Sequence, residues 1–505
     1  MDDLKENINP LMLCDANLGK LPKDISSVHY NRKQLSAGIL HIGVGNFHRA
    51  HQAWYLHKLF EKGYDRDWAI IGSGVQDYDA AQREKLKKQD FLSTLIELDP
   101  SGCSLEIVGS MIDYVPVERG NKKLIACLAN PNIRIVMLTI TEGGYFSIPT
   151  TMELDTSHPD VQNDIENPEA PLTVFGAIVE ALRIRKEKNI GPLTGLCCDN
   201  LEGNGNILKK TIMSFANYSD PGLADWIDSQ CTFPNSMVDC IVPSTGEKEL
   251  SLVKSFGLDD KVPVTHENFR QWVIEDNFCS GRPKLEKVGV LFTDDVHDYE
   301  LMKIRLLNGG HQVICNVGQI LNIETIAECM EHPQIGKLFS KVTREEIAIN
   351  VKSVPNMDPI KYVDVIEKRF SNKEILDTTR RVSFDGSARH PGFIIPSIKS
   401  AILAGSPMSG LVFVEAAWAR MCQGSMENGL DIIPNDPNWD ELQTKAKAAR
   451  ENPEIWINQA QYYGDLASNK EFSEMFSAWF NYIWEKGIEA GMSLYLNNKY
   501  PPPSS

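Results

Sequence analysis

The stretch Gly38-Ile39-Leu40-His41-Ile42-Gly43-Val44-Gly45-Asn46-Phe47-His48-Arg49-Ala50-His51 decides the fold. Residues 38–44 form a short apolar run of strand length, and the spacing that follows predicts a helix over about residues 49–62. Two glycines stand between them, at i and i+2. After a strand and before a helix, the first permits a tight turn. The second lets backbone approach a pyrophosphate, which then sits on the positive helix N-terminus. Gly43, Val44, Gly45, Asn46, Phe47, His48 and Arg49 are therefore the candidate cofactor-binding residues. His48 departs from the usual pattern, in which a small residue packs helix against strand at that place. Taken alone, the motif fits a plain structural turn equally well. Its position between strand and helix near the N-terminus favours a dinucleotide.

Strand and helix patterns alternate outward from this turn. Strands are predicted over residues 68–72, 133–140 and 193–198, and helices over 79–88 and 173–188. Thr141-Glu142-Gly143-Gly144-Tyr145 reads as a loop, residues 147–171 as an acidic, proline-bearing surface excursion, and the last strand ends in Asp199-Asn200. Such alternation predicts a parallel sheet covered on both faces. An acid after the second strand would accept from the ribose hydroxyls and favour NAD over NADP. Asp79 is the first candidate and Asp77 the second; a solvated helix start accounts for the same acids. From about Tyr299 the apolar spacing turns helical, over residues 300–321, 343–351, 360–370, 394–404, 411–422 and 472–487. The fold class is α/β, with a Rossmann-like domain over residues 1–290 and a mostly α-helical domain over 291–505.

Composition bounds the partners. A chain of 505 residues allows about two to four domains. With 42% hydrophobic and 24% charged residues, disordered, collagen-like and coiled-coil classes are excluded for the whole chain. A formal net charge of -17 and no long Lys/Arg run argue against nucleic acid or an anionic membrane as partner, leaving a small molecule. The acidic, polar start predicts no signal peptide, and no apolar stretch reaches the roughly 20 residues of a membrane helix. Eleven scattered cysteines without a Cys-x-x-Cys predict reduced thiols and a cytoplasmic location.

Lys303-Ile304-Arg305-Leu306-Leu307-Asn308-Gly309-Gly310-His311 carries the chemistry. Glycine inside a helix costs about 1 kcal/mol relative to alanine, so Gly309 and Gly310 need a reason: close approach to a ligand or tight helix packing. On a regular helix Lys303, Asn308 and His311 fall within an arc of about 140°, presenting an amine, an amide and an imidazole on one broad face. A packed helix with a solvated lysine and a satisfied histidine has the same spacing.

Five segments in order carry a resemblance over nearly the whole chain: residues 43–51, Thr139-Ile140-Thr141-Glu142-Gly143-Gly144-Tyr145, Cys198-Asp199-Asn200-Leu201, Phe233-Pro234-Asn235-Ser236-Met237-Val238-Asp239, and Lys303 with Asn308 and His311. Together they resemble the polyol-specific long-chain dehydrogenases. That resemblance implies oxidation of a secondary alcohol of a polyol with NAD and without a metal, in a monomer, with substrate in a cleft between the domains. It implies Lys303 as general base, Asn200 and Asn308 holding the reacting oxygen, and His311 positioning substrate. Asp239, Arg381 and Arg389 would face the polyol, and Glu142 would help the proton reach solvent; a lysine can stand where this chain has Arg389.

Chemistry fits these roles. Hydride loss from carbon requires the hydroxyl proton to leave, and a lysine in a dry pocket has its charged form disfavoured. Two side-chain amides can steady the developing alkoxide. His311 is the rival base. His48-x-x-His51 is the only close pair resembling metal ligands, and packing or phosphate contact accounts for it. No Gly-x-Ser-x-Gly elbow is present to support a hydrolase. The other readings are a hexuronate reductase, in which Arg381 and Arg389 would grip a carboxylate, a dehydrogenase for another polyol such as sorbitol or arabinitol, and a nonenzymatic NAD sensor.

Overall fold

The computed structural model describes residues 10–76, 78–146, 153–355 and 357–501, with Glu142 described in its backbone only. The chain divides after His297 into two compact units.

The first unit is built on five parallel strands: β1 (Ala37–Ile42), β2 (Ala69–Ser73), β3 (Met111–Val115), β4 (Ile135–Leu138) and β5 (Thr194–Cys197). Their order across the sheet is β3-β2-β1-β4-β5, the doubly wound arrangement of a dinucleotide-binding fold. Successive side chains of a strand point to opposite faces, and here both faces are buried. Leu40, Ile42, Val136 and Leu138 join a core with the Lys122–Leu128 and Val174–Glu187 helices. Ile39, Ile70, Ile135 and Met137 join another with Tyr55, Leu56, Leu59 and Phe60 of the Gln52–Glu61 helix. This is why the strands read as continuous apolar runs. β3 was not expected; it is an edge strand interrupted by the exposed Asp113.

Three further sheets belong to the described residues of this unit, the smallest being Leu11–Met12 paired with Leu258–Asp259. Ser236–Asp239 pairs with Gln271–Glu275, which pairs with Leu291–Thr293. The hairpin of Ser93–Asp99 and Gly102–Val108 is flanked by Val264–Glu267 and Ile25–Ser26. The described part of the acidic excursion, residues 153–171, contains a helix. Its Pro159–Glu166 helix buries Asp164, whose carboxylate accepts from the Leu172 and Thr173 N–H groups and from the Thr173 hydroxyl.

The second unit is helical around two central helices, Gly309–Ile320 and Ser409–Cys422, buried along their whole lengths. No helix among the described residues is long and apolar enough to cross a membrane. The helix expected over residues 300–321 is interrupted: His297–Met302 is α-helical, Lys303–Asn308 is a π turn, and α-helix resumes at Gly309. Thr343–Ile347 and His390–Ile394 form further π turns, the latter before the Ile395–Ala404 helix. The central glycines serve packing. A Cβ at Gly310 would stand 2.7 Å from the Phe339 ring, and one at Gly309 3.4 Å from the Phe393 carbonyl oxygen. All eleven cysteines are free thiols.

Candidate active site

Gly43 and Gly45 follow β1 directly, and their turn is held from both neighbouring strands. The Gly43 N–H donates to the Ser73 carbonyl at the end of β2 (2.9 Å), and the Thr139 hydroxyl after β4 donates to the Gly43 carbonyl (2.7 Å). Gly43 has φ +91°, and a Cβ there would lie 2.1 Å from the Thr139 carbonyl oxygen, so no other residue fits. Gly45 is exposed, and a Cβ there would meet nothing within 4 Å. Open space at Gly45 leads onto the start of the Asn46–Ala50 helix, whose first N–H groups have no intrahelical acceptor. These features fit a dinucleotide pyrophosphate.

The side chains around the turn brace it from inside the unit. His48 takes the place of the customary small residue by stacking on His41 of β1, ring centres 3.4 Å apart, with both rings fully buried. His41 is joined to the Thr139 hydroxyl at 2.8 Å. Burial pushes His41 down to about 3 and His48 well below its ordinary value, so both are neutral. Arg49 is also buried: its guanidinium donates to the Gly45 and Val262 carbonyls and to the Asn46 amide oxygen. The Asn46 side chain in turn donates to the Pro243 carbonyl and the Thr245 hydroxyl. Val44 is buried, and the half-buried Phe47 stacks on His51. His48 and Arg49 are thus supports of the turn.

Asp77 lies outside the described residues. Asp79 opens the Asp79–Lys88 helix, and its Oδ2 accepts from the N–H groups of Val75 (2.7 Å) and Gln76 (3.0 Å). Both donors precede the helix, whose N-cap is Tyr78, and Asp79 is half-buried, so it is not the solvated N-cap of the alternative reading; the carboxylate staples the loop after β2.

Three further candidates of this unit sit at strand ends. Glu142 begins the Glu142–Tyr145 3₁₀ turn that follows β4; its side chain lies outside the described residues. Asn200 is exposed just beyond β5. Asp239 is the buried last residue of Ser236–Asp239. Between them stands Asp199, to which no role was given from sequence. Its carboxylate accepts from the Thr141 N–H (2.8 Å) and from the Tyr145 hydroxyl (2.7 Å). Burial pushes this carboxyl up from its ordinary value, opposed by those donors. An acid directly after an apolar strand was the available signal.

In the second unit, the π turn brings Asn308 back over Lys303, because five residues close one i→i+5 ring. The broad arc expected on a regular helix is thereby narrowed. Both residues are half-buried. His311 is buried on the following helix, stacked on Phe370 with ring centres 4.1 Å apart, and its Nε2 lies 3.8 Å from Asp377 Oδ2. Burial pushes the imidazole down to about 3, against the attraction of Asp377. Asp377 also accepts two bonds from Arg381, from Nε at 2.6 Å and Nη2 at 2.7 Å. Arg389 donates to the Val382 carbonyl. Asp377 therefore gathers His311 and Arg381 within this unit; sequence reading missed it, although acid and arginine stand four residues apart. Among the described residues, no group of three or more His, Cys, Asp and Glu side chains could hold a metal ion.

The sheet order and the turn at the end of β1 define a Rossmann-type α/β protein carrying a helical second unit. Residues 37–287 match the model of the mannitol dehydrogenase Rossmann domain, and residues 295–484 that of the mannitol dehydrogenase C-terminal domain. The chain is 48% identical over 476 residues to the mannitol 2-dehydrogenase of Cereibacter sphaeroides, covering 94% of this chain and 100% of that one. It is 39% identical to the mannitol 2-dehydrogenase of Aspergillus terreus, covering 97% and 100%. Among solved structures, the Pseudomonas fluorescens mannitol 2-dehydrogenase in ternary complex with NAD and D-mannitol superposes with a TM-score of 0.89 at 36% identity, covering 96% and 100%. A D-sorbitol dehydrogenase in substrate-free form gives 0.87 at 34% identity, covering 95% and 100%. The chain belongs to the mannitol dehydrogenase family, the relationship that the five sequence segments imply.

Proposed function

We propose that this chain is an NAD-dependent mannitol 2-dehydrogenase that interconverts D-mannitol and D-fructose without a metal, as a cytoplasmic monomer. One observation carries the reading: both units match, along nearly their full length, a mannitol 2-dehydrogenase solved with NAD and D-mannitol. The built turn at Gly43 and the open approach at Gly45 support the cofactor assignment.

NAD⁺, when bound, supplies the hydride acceptor. The glycine turn lets its phosphates approach, at the open side of Gly45, the N–H groups that begin the Asn46–Ala50 helix, and Asp79 or Asp77 faces the ribose. In the oxidation Lys303 takes the hydroxyl proton, which requires a neutral amine. Asn200 and Asn308 hold the reacting oxygen as negative charge develops on it. His311 positions the substrate. With its imidazole down at about 3 it is a weak base, which favours Lys303 over it for the proton. Glu142 helps the proton from Lys303 reach solvent, and Asp239, Arg381 and Arg389 read the polyol hydroxyls. In the reduction the same lysine, charged, returns the proton to the ketone oxygen.

A second reading, D-sorbitol as the preferred polyol, is favoured by the similarity to a D-sorbitol dehydrogenase. Both are tested by following NADH formation with D-mannitol, D-sorbitol and arabinitol, and NADH consumption with fructose and fructuronate, with and without a chelator. The expected result is fastest turnover of mannitol and fructose, unaffected by chelation. Preference for sorbitol would select the second reading. Turnover of fructuronate alone would replace both with a hexuronate reductase.

A further inference from the structure

Thr141 stands immediately before Glu142 with φ +67° and ψ 161°. Glycine alone adopts this backbone region readily, and a β-branched residue is held there only when its surroundings force it. The forcing group is identifiable. The Thr141 N–H donates to one oxygen of Asp199, and four residues later the Tyr145 hydroxyl donates to the other. Tyr145 is buried with its ring tilted against Phe175, so this end of the turn cannot drift. Having donated to Asp199, its hydroxyl accepts from the Cys197 thiol at 2.7 Å. One buried carboxylate thus grips both ends of the short turn that begins with Glu142.

The same residue reaches two other functional segments. Asn200 is its chain neighbour. The Asp199 carbonyl accepts from the Asn204 side chain (3.0 Å), whose amide is doubly bonded to the backbone of Ser236, at 2.7 and 2.9 Å. Ser236 opens the strand that ends at Asp239. The Glu142 turn, Asn200 and the Asp239 strand therefore share one hydrogen-bonded frame, although they come from three separate parts of the sequence.

We infer that Asp199 is a positioning residue that fixes the Glu142 turn against the strand end bearing Asn200, so that proton release and alkoxide stabilisation occur in register. This rests on the roles of Glu142 and Asn200 given under the proposed function. A residue needed only for folding would gain nothing from imposing a glycine-like conformation on Thr141.

A double-mutant cycle tests it, using Asp199→Asn, Glu142→Gln and the pair, with kcat and KM for D-mannitol, NADH affinity and melting temperature measured for each. Asp199→Asn is expected to lower kcat by about 10- to 100-fold, the scale of a misplaced group, with KM and NADH affinity little changed. In the Glu142→Gln background the same substitution is expected to do almost nothing further. Losses that multiply, an unchanged kcat for either single variant, or a loss of NADH affinity that follows a fall in melting temperature would each overturn the inference. Should Asp199→Asn fail to fold, Tyr145→Phe removes one of the two grips and enters the same cycle. A wild-type chain that makes no NADH from any polyol would refute the proposed function itself, and this inference with it; an active wild type with multiplicative losses would refute this inference alone.

Discussion

Replacing Gly45 with alanine separates folding from cofactor binding. Gly45 has φ −101° and ψ −170°, ordinary extended backbone, and the added Cβ would meet no heavy atom within 4 Å. The fold therefore tolerates the methyl group. By restricting the unfolded chain it should stabilise the unit by about 0.4–1 kcal/mol, which raises the melting temperature by about 1–4 °C. In the proposed cofactor site, the pyrophosphate comes close to backbone on the open side of Gly45. Losing one hydrogen bond to a charged group there costs about 1.5–3 kcal/mol, or about a 10- to 150-fold rise in Kd. The neighbouring glycine gives the opposite pattern. Gly43→Ala puts a Cβ 2.1 Å from the Thr139 carbonyl oxygen at φ +91°, so it should destabilise the fold by at least about 1–3 kcal/mol from backbone conformation alone. NADH fluorescence titration and calorimetry on the two variants check both halves. A Gly45→Ala chain that binds NADH as tightly as the wild type, or a Gly43→Ala chain that melts with it, would refute this account of the turn.

Three other outcomes follow from buried groups. Asp164→Ala strips four donors of their acceptor, the Asn163 side-chain amide and the three at Leu172 and Thr173, so the first unit should lose about 3 kcal/mol or more, read from denaturant unfolding. Glu415 is wholly buried and joins the His390 imidazole to the Tyr463 hydroxyl at 2.7 Å each; Glu415→Ala should cost the helical unit about 2–6 kcal/mol in the same assay, two stranded polar groups at about 1–3 kcal/mol each. His41, His266 and His311 are all pushed down to about 3 by burial. Unfolding lets each return to about 6.5 and take up a proton, so their contribution is present above that value and is lost as pH falls toward 3. His48 is pushed well below its ordinary value in the same way, so unfolding measured at successive pH values should show stability declining by about 1.4 kcal/mol per pH unit for each histidine, with three acting in the first unit and one in the second.

Much of the first unit was legible because its central strands are buried on both faces. Runs such as Ile135-Val136-Met137-Leu138 have no amphipathic alternation to obscure them, and four of the five strands of the main sheet were read from them. β3 escaped because an edge strand with an exposed Asp113 has a weak pattern. The glycine turn was legible as a motif, whereas the burial of His48 against His41 and of Arg49 against backbone carbonyls depends on contacts made in the folded state. The π turn at Lys303 could not be read, since a 3.6-residue period assumes the regular bonding that the turn interrupts. Asp199 and Asp377 went unassigned for a related reason. Each acts on a partner far along the chain, Asp199 on Thr141 across 58 residues, and no local spacing announces such a pair.

The most direct test of the central claim is Lys303→Ala, assayed for NADH formation from D-mannitol and for NADH binding in the same preparation. Loss of general base catalysis should lower kcat by about 10²–10⁴-fold, while cofactor affinity stays near that of the wild type. Turnover that survives the substitution, or cofactor affinity that disappears with it, would contradict the assignment of this amine as the base.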